Sequence, residues 1–281
     1  MTGSLAKLYP LNNLFNQKKL TLSLDLVYFS ISMKSVSLRF YEELNDFLPA
    51  KKRKTLLRIS FTGRQTVKDM IESQGVPHTD VDLILVNGKS VNFNQIIHDG
   101  DKISVYPEFE SLDISSVTHL KKPPLRNPKF ILDVHLGRLA RYLRAMGFDT
   151  LYRNDYTDND LVNISLREKR IILTRDKGIL MRNAVERGYW IRNIDVKEQA
   201  LEITRRFDLY NLISPFKRCM ECNGLIRSVS KESVMKHLQF KTKEYYDHFF
   251  RCTSCEKIYW KGSHYERMNH FLTKTLKKGS K

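Results

Sequence analysis

The sequence predicts two folded units in series: an α+β module, then an α/β domain built on a parallel sheet and closed by a small metal ribbon. Three observations predict this. Between residues 34 and 110, short alternating runs flank one capped helix; between 130 and 195, an apolar run, an acid and an amphipathic segment recur; and the four cysteines form two Cys-x-x-Cys pairs. Alternation at period two marks strands, strands in turn with helices imply parallel βαβ units, and paired Cys-x-x-Cys is a zinc pattern.

At 281 residues, with 41% hydrophobic and 11% aromatic side chains, the chain is long enough to bury two cores. Its net charge of +17 is unevenly spread. Residues 34–110 carry 11 basic and 11 acidic side chains, whereas residues 111–281 carry 34 and 19, net +15. A surplus of this kind suits a protein that binds a polyanion; its plainer reading is a surface that keeps the protein soluble. No run of eighteen apolar residues exists, so no membrane span is expected. Residues 20–31 follow Lys18-Lys19, but Asp25 interrupts them and no small-residue cleavage site follows, so they are not read as a signal peptide. Four paired cysteines in a basic chain indicate a metal in a reducing, cytoplasmic setting more than a secreted disulfide framework.

Taken in order, residues 1–33 carry little pattern and read as a poorly ordered leader. Val36, Leu38 and Phe40 alternate as in a strand, and Leu56 to Phe61 give a second. Thr66 with Asp69 three residues on is a capping box, and Val67, Met70 and Ile71 form the apolar side of its helix. Asn87-Gly88 within LILVNGKSV marks a hairpin, and Lys102 to Tyr106 form a last strand. Two strands, a helix and further strands make a compact β-grasp over residues 34–110. Residues 111–128 hold Pro123, Pro124 and Pro128 among Lys121, Lys122 and Arg126, and read as a linker.

Residues 129–281 then open on the apolar run Phe130-Ile131-Leu132, which ends on Asp133. Leu136, Leu139, Ala140, Leu143 and Met146 follow at helical spacing beside Arg138, Arg141 and Arg144, and Gly147 supplies a stop. The pattern returns at Ile171 to Thr174, ending in Arg175-Asp176 before a helix-like stretch at 178–186, and again at Tyr189-Trp190-Ile191 before Asp195. Between the first two units lies RNDYTDNDL, with Asp155, Asp158 and Asp160 within six residues. Carboxylates at the carboxyl ends of parallel strands sit where such sheets gather ligands. Crowded together they repel, and a divalent metal reverses that cost: magnesium or manganese takes oxygen ligands and keeps waters. Asp133 and Asp176 are the first candidates as ligands, Asp160 the third and Asp155 the fourth. Each has a structural alternative: Asp160 completes a capping box with Thr157, Asp158 suits the first turn of a helix, and Asp176 can cap the helix after it. Asp133, directly after a buried strand, is costly there without partners.

The four cysteines, Cys219, Cys222, Cys252 and Cys255, supply the closed tetrahedral set of a structural zinc within a ribbon over residues 217–263, although 29 residues between the pairs exceed the usual spacing. Lys217, Arg218, Arg251, Lys257 and Lys261 are interleaved with Phe249, Phe250, Tyr259 and Trp260, which suits RNA phosphates and bases. Burial in the ribbon core is the competing fate of those four rings. Arg138, Arg141, Arg175, Lys261, His264 and Arg267 are the candidate nucleic-acid contacts. The basic tail from Lys274 reads as a solvated end.

Two resemblances attach to these motifs. VNGK in the hairpin and DGDKISVYP at the end of the first unit resemble ubiquitin-like domains of the sulfur-carrier type. Such carriers use a free terminal Gly-Gly, whereas this segment runs on into Glu108-Phe109-Glu110, so a docking or accessory module with a protein partner is expected instead. FILDVHLGRLARYLRAMGFDTLY, NDYTDNDL, RIILTRDKGIL, PFKRCMECNG and FFRCTSCEKIYWKGSHYERM together resemble the Mut-seven carboxy-terminal RNase family, a branch of the PIN-like nucleases, over nearly all of residues 129–270. That family often carries a ubiquitin-like domain ahead of it. The resemblance implies a PIN-like α/β fold and a metal-dependent ribonuclease whose acids match Asp133, Asp155, Asp160 and Asp176, with Asp195 where a further acid often stands.

The expected activity is hydrolysis of single-stranded RNA, with magnesium or manganese at the carboxylates and zinc in the ribbon. A non-catalytic RNA or ribonucleoprotein binder, its acids structural, is the alternative. An aspartyl-nucleophile phosphatase of the haloacid-dehalogenase-like kind ranks low, because His135 stands where a second Asp is wanted.

Overall fold

A computed structural model describes residues 33–107, 117–120 and 127–279. The expected leader, Met33 apart, and most of the expected linker lie outside the described residues. The first sheet is the expected β-grasp. β1 (Lys34–Phe40) pairs antiparallel with β2 (Leu57–Phe61) and parallel with β5 (Lys102–Tyr106). β3 (Leu83–Val86) and β4 (Lys89–Ser90) complete the order β2-β1-β5-β3-β4. Asn87 and Gly88 both take positive φ, +52° and +80°, as the tight β3–β4 turn requires. α1 (Val67–Ser73) begins in the capping box of Thr66 and Asp69, and its Val67, Met70 and Ile71 bury against Val36, Leu38 and Phe40 of β1. Of the linker, Thr118 donates its hydroxyl to the Asp82 carbonyl, and Leu120 packs on this core.

The second sheet is wholly parallel, in the order β7-β6-β8-β9: β7 (Thr150–Tyr152), β6 (Phe130–Leu132), β8 (Ile171–Thr174) and β9 (Gly188–Trp190). Every residue of the two central strands is buried, which is why they read as unbroken apolar runs. Alternation then assigns faces. Phe130, Leu132, Ile171 and Leu173 meet α2 (Gly137–Ala145) and α5 (Val196–Arg206), while Ile131 and Ile172 meet α3 (Asp158–Glu168) and α4 (Lys177–Leu180). Gly147, past the end of α2, has φ +101°, and a Cβ there would lie 2.3 Å from the Ser214 carbonyl oxygen, so the stop needs glycine.

The helix-like stretch at 178–186 is shorter than its pattern suggests: α4 ends at Leu180. The Met181 and Arg182 amides turn back to the Gly178 and Ile179 carbonyls, and the residues beyond serve a different contact. Asn183 accepts from Lys68 at 2.8 Å, and the Val185 carbonyl lies 2.9 Å from His78 Nε2, both on the β-grasp. The same contact continues at the other sheet edge. Phe47 packs on Trp190 with ring planes tilted by 42° and centroids 4.9 Å apart, and Lys177 Nζ lies 4.8 Å from the first ring and 4.3 Å from the second. Arg192 bonds Asp46 at 3.2 Å and approaches Asp80, whose carboxyl burial pushes up to about 6 against the pull of Arg192 and Arg206. Since Trp190 packs into the cores of both units, Trp190→Ala is expected to lower stability by about 3 kcal/mol. In hydrogen exchange the first amides to gain mobility should be those of residues 46–48 and 183–192; uniform loss across the chain would contradict a local docking role.

The ribbon follows. β10 (Ile226–Val229), β11 (Phe249–Cys252) and β12 (Ile258–Trp260) form an antiparallel sheet in that order. The long spacer between the cysteine pairs is occupied by β10 and two short helices, α6 (Lys231–Val234) and α7 (Phe240–Tyr245). Val234 and Leu238 close over the fully buried Phe249, so that ring belongs to the ribbon core, whereas Trp260 is exposed. The tail from Lys274 belongs to α8 (Ser263–Gly279), in which Lys274 is exposed, as expected, but Thr275 is buried; earlier in that helix Met268, Phe271 and Leu272 return to the core beneath α2. No helix among the described residues is long and apolar enough to cross a membrane.

Candidate active site and metal centre

In the parallel sheet the chain winds outward from β6 to β7, then crosses back to β8 and β9, so the topological switch point lies between β6 and β8. Asp133 leaves the carboxyl end of β6 there, and Asp176 stands two residues beyond β8. Thr174 links the first carboxylate to the backbone of the second acid. Its hydroxyl donates to Asp133 Oδ2 at 2.8 Å and accepts from the Asp176 amide at 2.8 Å. Asp133 Oδ1 accepts from the Val134 amide at 2.6 Å, capping the short turn before α2, and Asp176 Oδ1 accepts from the Gly178 amide at 2.7 Å, capping α4. Asp133 is buried, and these two bonds are the partners its position demands. Asp176 is exposed.

The other acids stand differently. Asp155, exposed beyond β7, is gripped by Arg153 through bonds of 2.9 and 2.6 Å, which hold its carboxyl below the usual range. Asp160 accepts from the Thr157 hydroxyl at 2.7 Å and amide at 2.9 Å, completing the capping box of α3, and those bonds likewise lower its carboxyl. Asp195 caps α5 through the Lys197 and Glu198 amides. Among the described residues, the one set of three or more metal-ligating side chains with ligand atoms mutually within 4.8 Å is the four cysteines. Thr174 thus links the Asp133 carboxylate to the Asp176 backbone amide, while Asp155, beyond β7, and Asp160, in the first turn of α3, are engaged by their own neighbours.

The candidate nucleic-acid contacts fall into two places. Arg138 lies exposed in the first turn of α2, after Asp133, and Arg175 is the exposed neighbour of Asp176. Lys261, His264 and Arg267 are exposed at the ribbon exit, where Tyr265 stacks on Phe216, whose amide bonds the carbonyl of Ala145 at the far end of α2. That end is about 12 Å from the first turn at 1.5 Å per residue. Arg141, midway, pairs with Glu221 of the ribbon at 3.1 Å.

The cysteines fit a four-thiolate metal. Cys219 and Cys255 sulfurs are 3.6 Å apart, Cys222 and Cys252 3.4 Å. A tetrahedron with bonds of about 2.3 Å has edges of about 3.8 Å. Each hairpin turns its amides on a sulfur: Gly224 on Cys222, and Ser254 and Cys255 on Cys252. Burial raises the Cys252 thiol, but the amides and the neighbouring thiols outweigh it and bring it to about 7, whereas burial pushes Cys222 up to about 12 and Cys255 upward. A Cβ on Gly224 would lie 2.9 Å from the Cys252 sulfur, so the knuckle needs glycine.

Sequence patterning missed the residues that fasten this knuckle. Arg144, third in the arginine row, is buried and donates to the Thr150, Met220 and Glu221 carbonyls at 2.9, 3.1 and 2.7 Å. Asn223 accepts from the Thr150 amide and donates to Asp149, which also holds Arg170 and Arg218. Thr150 begins β7, so the knuckle is fixed at the amino-terminal edge of the sheet, opposite Asp133 and Asp176. Arg144→Met strands three carbonyls and is expected to cost about 3 kcal/mol, read as a lower denaturation midpoint with the metal still bound.

No curated protein matches the chain. The crystal structure of SAMP1 from Haloferax volcanii, 18% identical, aligns with 28% of this chain and 100% of its own at a TM-score of 0.22, too low to carry an argument. The Mut7-C ubiquitin model matches residues 33–113, the stretch that folds as the β-grasp. The parallel sheet, the acids at its carboxyl edge and the cysteine knuckle all fall within residues 128–272, more than half of the length, which match the Mut7-C RNAse domain, and the chain belongs to that family.

Proposed function

We propose that the protein is a metal-dependent ribonuclease that hydrolyses phosphodiester bonds of single-stranded RNA. The observation that supports this most is Asp133 and Asp176 at the switch point of a parallel sheet, where the Thr174 hydroxyl links the Asp133 carboxylate to the backbone amide of Asp176. Two carboxylates from separate strand ends suit magnesium or manganese, which binds through one or two such groups and completes its shell with water and phosphate. When bound, the ion supplies a more acidic water and positive charge at the leaving oxygen. The chain's own residues do the rest. Thr174 and the Val134 and Gly178 amides fix both carboxylates, so little reorganisation is needed when the ion arrives. Arg138 and Arg175 flank the acids and hold the backbone on either side of the reacting phosphate. Asp160 is the third acid and joins by leaving its bonds to Thr157; Asp155 assists by orienting Arg153.

A second reading, a non-catalytic RNA or ribonucleoprotein binder, draws support from the local bonds that occupy Asp155 and Asp160. The deciding experiment is cleavage of a labelled single-stranded RNA with manganese, magnesium or EDTA. Metal-dependent cleavage supports the nuclease; salt-sensitive binding without turnover, across several RNAs and both metals, supports the binder. In either case the ribbon is a structural zinc site, the β-grasp is an accessory or docking module, and the four reduced thiols suit the cytoplasm.

A further inference from the structure

The β-grasp carries one motif that its accessory role leaves unused: Lys51, Lys52, Arg53 and Lys54, four consecutive cations in a unit that is neutral only with them counted. All four are exposed, and among the described residues none is in an ion pair. The segment is nevertheless rigidly built. Asn45, 5% exposed, donates to the Phe40 and Glu42 carbonyls and accepts from the Lys54 amide at 2.6 Å. Lys54 is held at φ +55°, Arg53 Nε donates to the Leu48 carbonyl at 2.9 Å, and the Thr55 hydroxyl closes on the Lys52 carbonyl.

The segment just before these cations faces the acid edge. Asp46 and Phe47 contact Arg192, Trp190 and Lys177, and Trp190 Nε1 donates to the Arg175 carbonyl at 3.2 Å. Lys177 and Arg175 are the two neighbours of Asp176. The cations at 51–54 are therefore one loop away from a proposed catalytic carboxylate. Arg53 is close enough to Lys177 that its charge, after burial and with that of Arg192, lowers the Lys177 ammonium.

We infer that the loop at residues 50–55 of the β-grasp continues the RNA-binding surface of the acid edge, holding the backbone of a single strand at phosphates beyond the one cleaved. The inference rests on the ribonuclease reading and deepens it by making the β-grasp part of the substrate groove. RNA is favoured over other anionic partners because Phe47, just before these cations, packs against Lys177 beside Asp176, and Arg53 lies within electrostatic reach of that lysine. A rigid loop binds phosphates without first being ordered, and each phosphate neutralised on a single strand adds about 0.7 to the slope of log affinity against log salt.

The test is binding of a fluorescein-labelled 20-nucleotide oligouridine, read by anisotropy in EDTA between 50 and 200 mM KCl, so that cleavage plays no part. Lys51→Gln/Lys52→Gln/Lys54→Gln keeps Arg53 and its bond to Leu48. Lys89→Gln/Lys102→Gln, exposed on β4 and β5, is the control, and thermal melts verify that both are folded. The triple variant is expected to bind roughly tenfold or more weakly at 100 mM KCl, with the slope reduced by about 2, and the control to match the unmodified protein. Unchanged affinity and slope in the triple variant would overturn the inference while leaving metal-dependent cleavage to be judged by its own assay. Absence of RNA binding by the unmodified protein would overturn both. Weaker binding to phosphatidylserine vesicles with RNA binding intact would assign the loop to a lipid surface and overturn the inference alone.

Discussion

Asp133→Asn is expected to reduce metal-dependent RNA cleavage by at least about 100-fold in a protein that still folds, and Asp176→Asn to do the same. The two halves of this expectation have separate causes. Asparagine keeps an oxygen for the Val134 amide, and its new amide group faces a Thr174 hydroxyl that rotates to accept it, so the folding penalty is about 1 kcal/mol. The lost negative charge has no substitute, because a hard divalent ion discriminates strongly between a carboxylate and a neutral amide. Denaturation midpoints beside manganese-dependent rates separate the two: cleavage near the unmodified rate in a well-folded Asp133→Asn protein would remove Asp133 from the mechanism. Asp155→Asn has a smaller expected effect, since Arg153 occupies both its oxygens.

The acid edge was legible in the sequence because central parallel strands are buried on both faces. Phe130-Ile131-Leu132 and Ile171-Ile172-Leu173 announce themselves as unbroken apolar runs, and the first polar residue after each marks the carboxyl end of a strand. The capping box at Thr66 and the Asn87-Gly88 turn were equally legible, since each is a contact within four residues. What escaped reading depends on partners far along the chain. Arg144 lies four residues after the fully buried Ala140, on the same helical face, and that spacing was the available sign that it differs from Arg138 and Arg141. Two of its three carbonyl partners are 76 and 77 residues away, beyond any periodicity. The pattern at 178–186 stayed amphipathic because Val185 is buried, but it is buried in a loop that meets the β-grasp, and periodicity does not distinguish a helix from a docked loop. Thr174 looked like the last residue of a strand, and its link between the two acids needs the strand order β7-β6-β8-β9 before it can be seen.

Loss of zinc is expected to destabilise the whole carboxy-terminal domain and not the ribbon alone. Cys252→Ser removes the thiolate that receives two amides and ends β11, and about one equivalent of zinc per chain should be lost with it. Structural zinc of this type contributes about 10 kcal/mol or more to folding. The effect spreads because the Met220 and Glu221 carbonyls hold Arg144, Asn223 holds the Thr150 amide, and α8 carries Phe271 and Leu272 from the ribbon back under α2. A fall in melting temperature of about 10 °C or more is therefore expected, at roughly 2–4 °C per kcal/mol for a domain of this size. Zinc content with calorimetry checks it, and a zinc-free protein with an unaltered transition would make the cysteines ordinary thiols. The two metal roles separate kinetically. An ion held by Asp133 and Asp176 with water exchanges readily, whereas one enclosed by four thiolates at the opposite sheet edge does not. Brief EDTA treatment followed by magnesium should thus restore cleavage fully, while treatment long enough to release zinc should abolish it irreversibly, with the ribbon unfolded and Arg144 left without its partners.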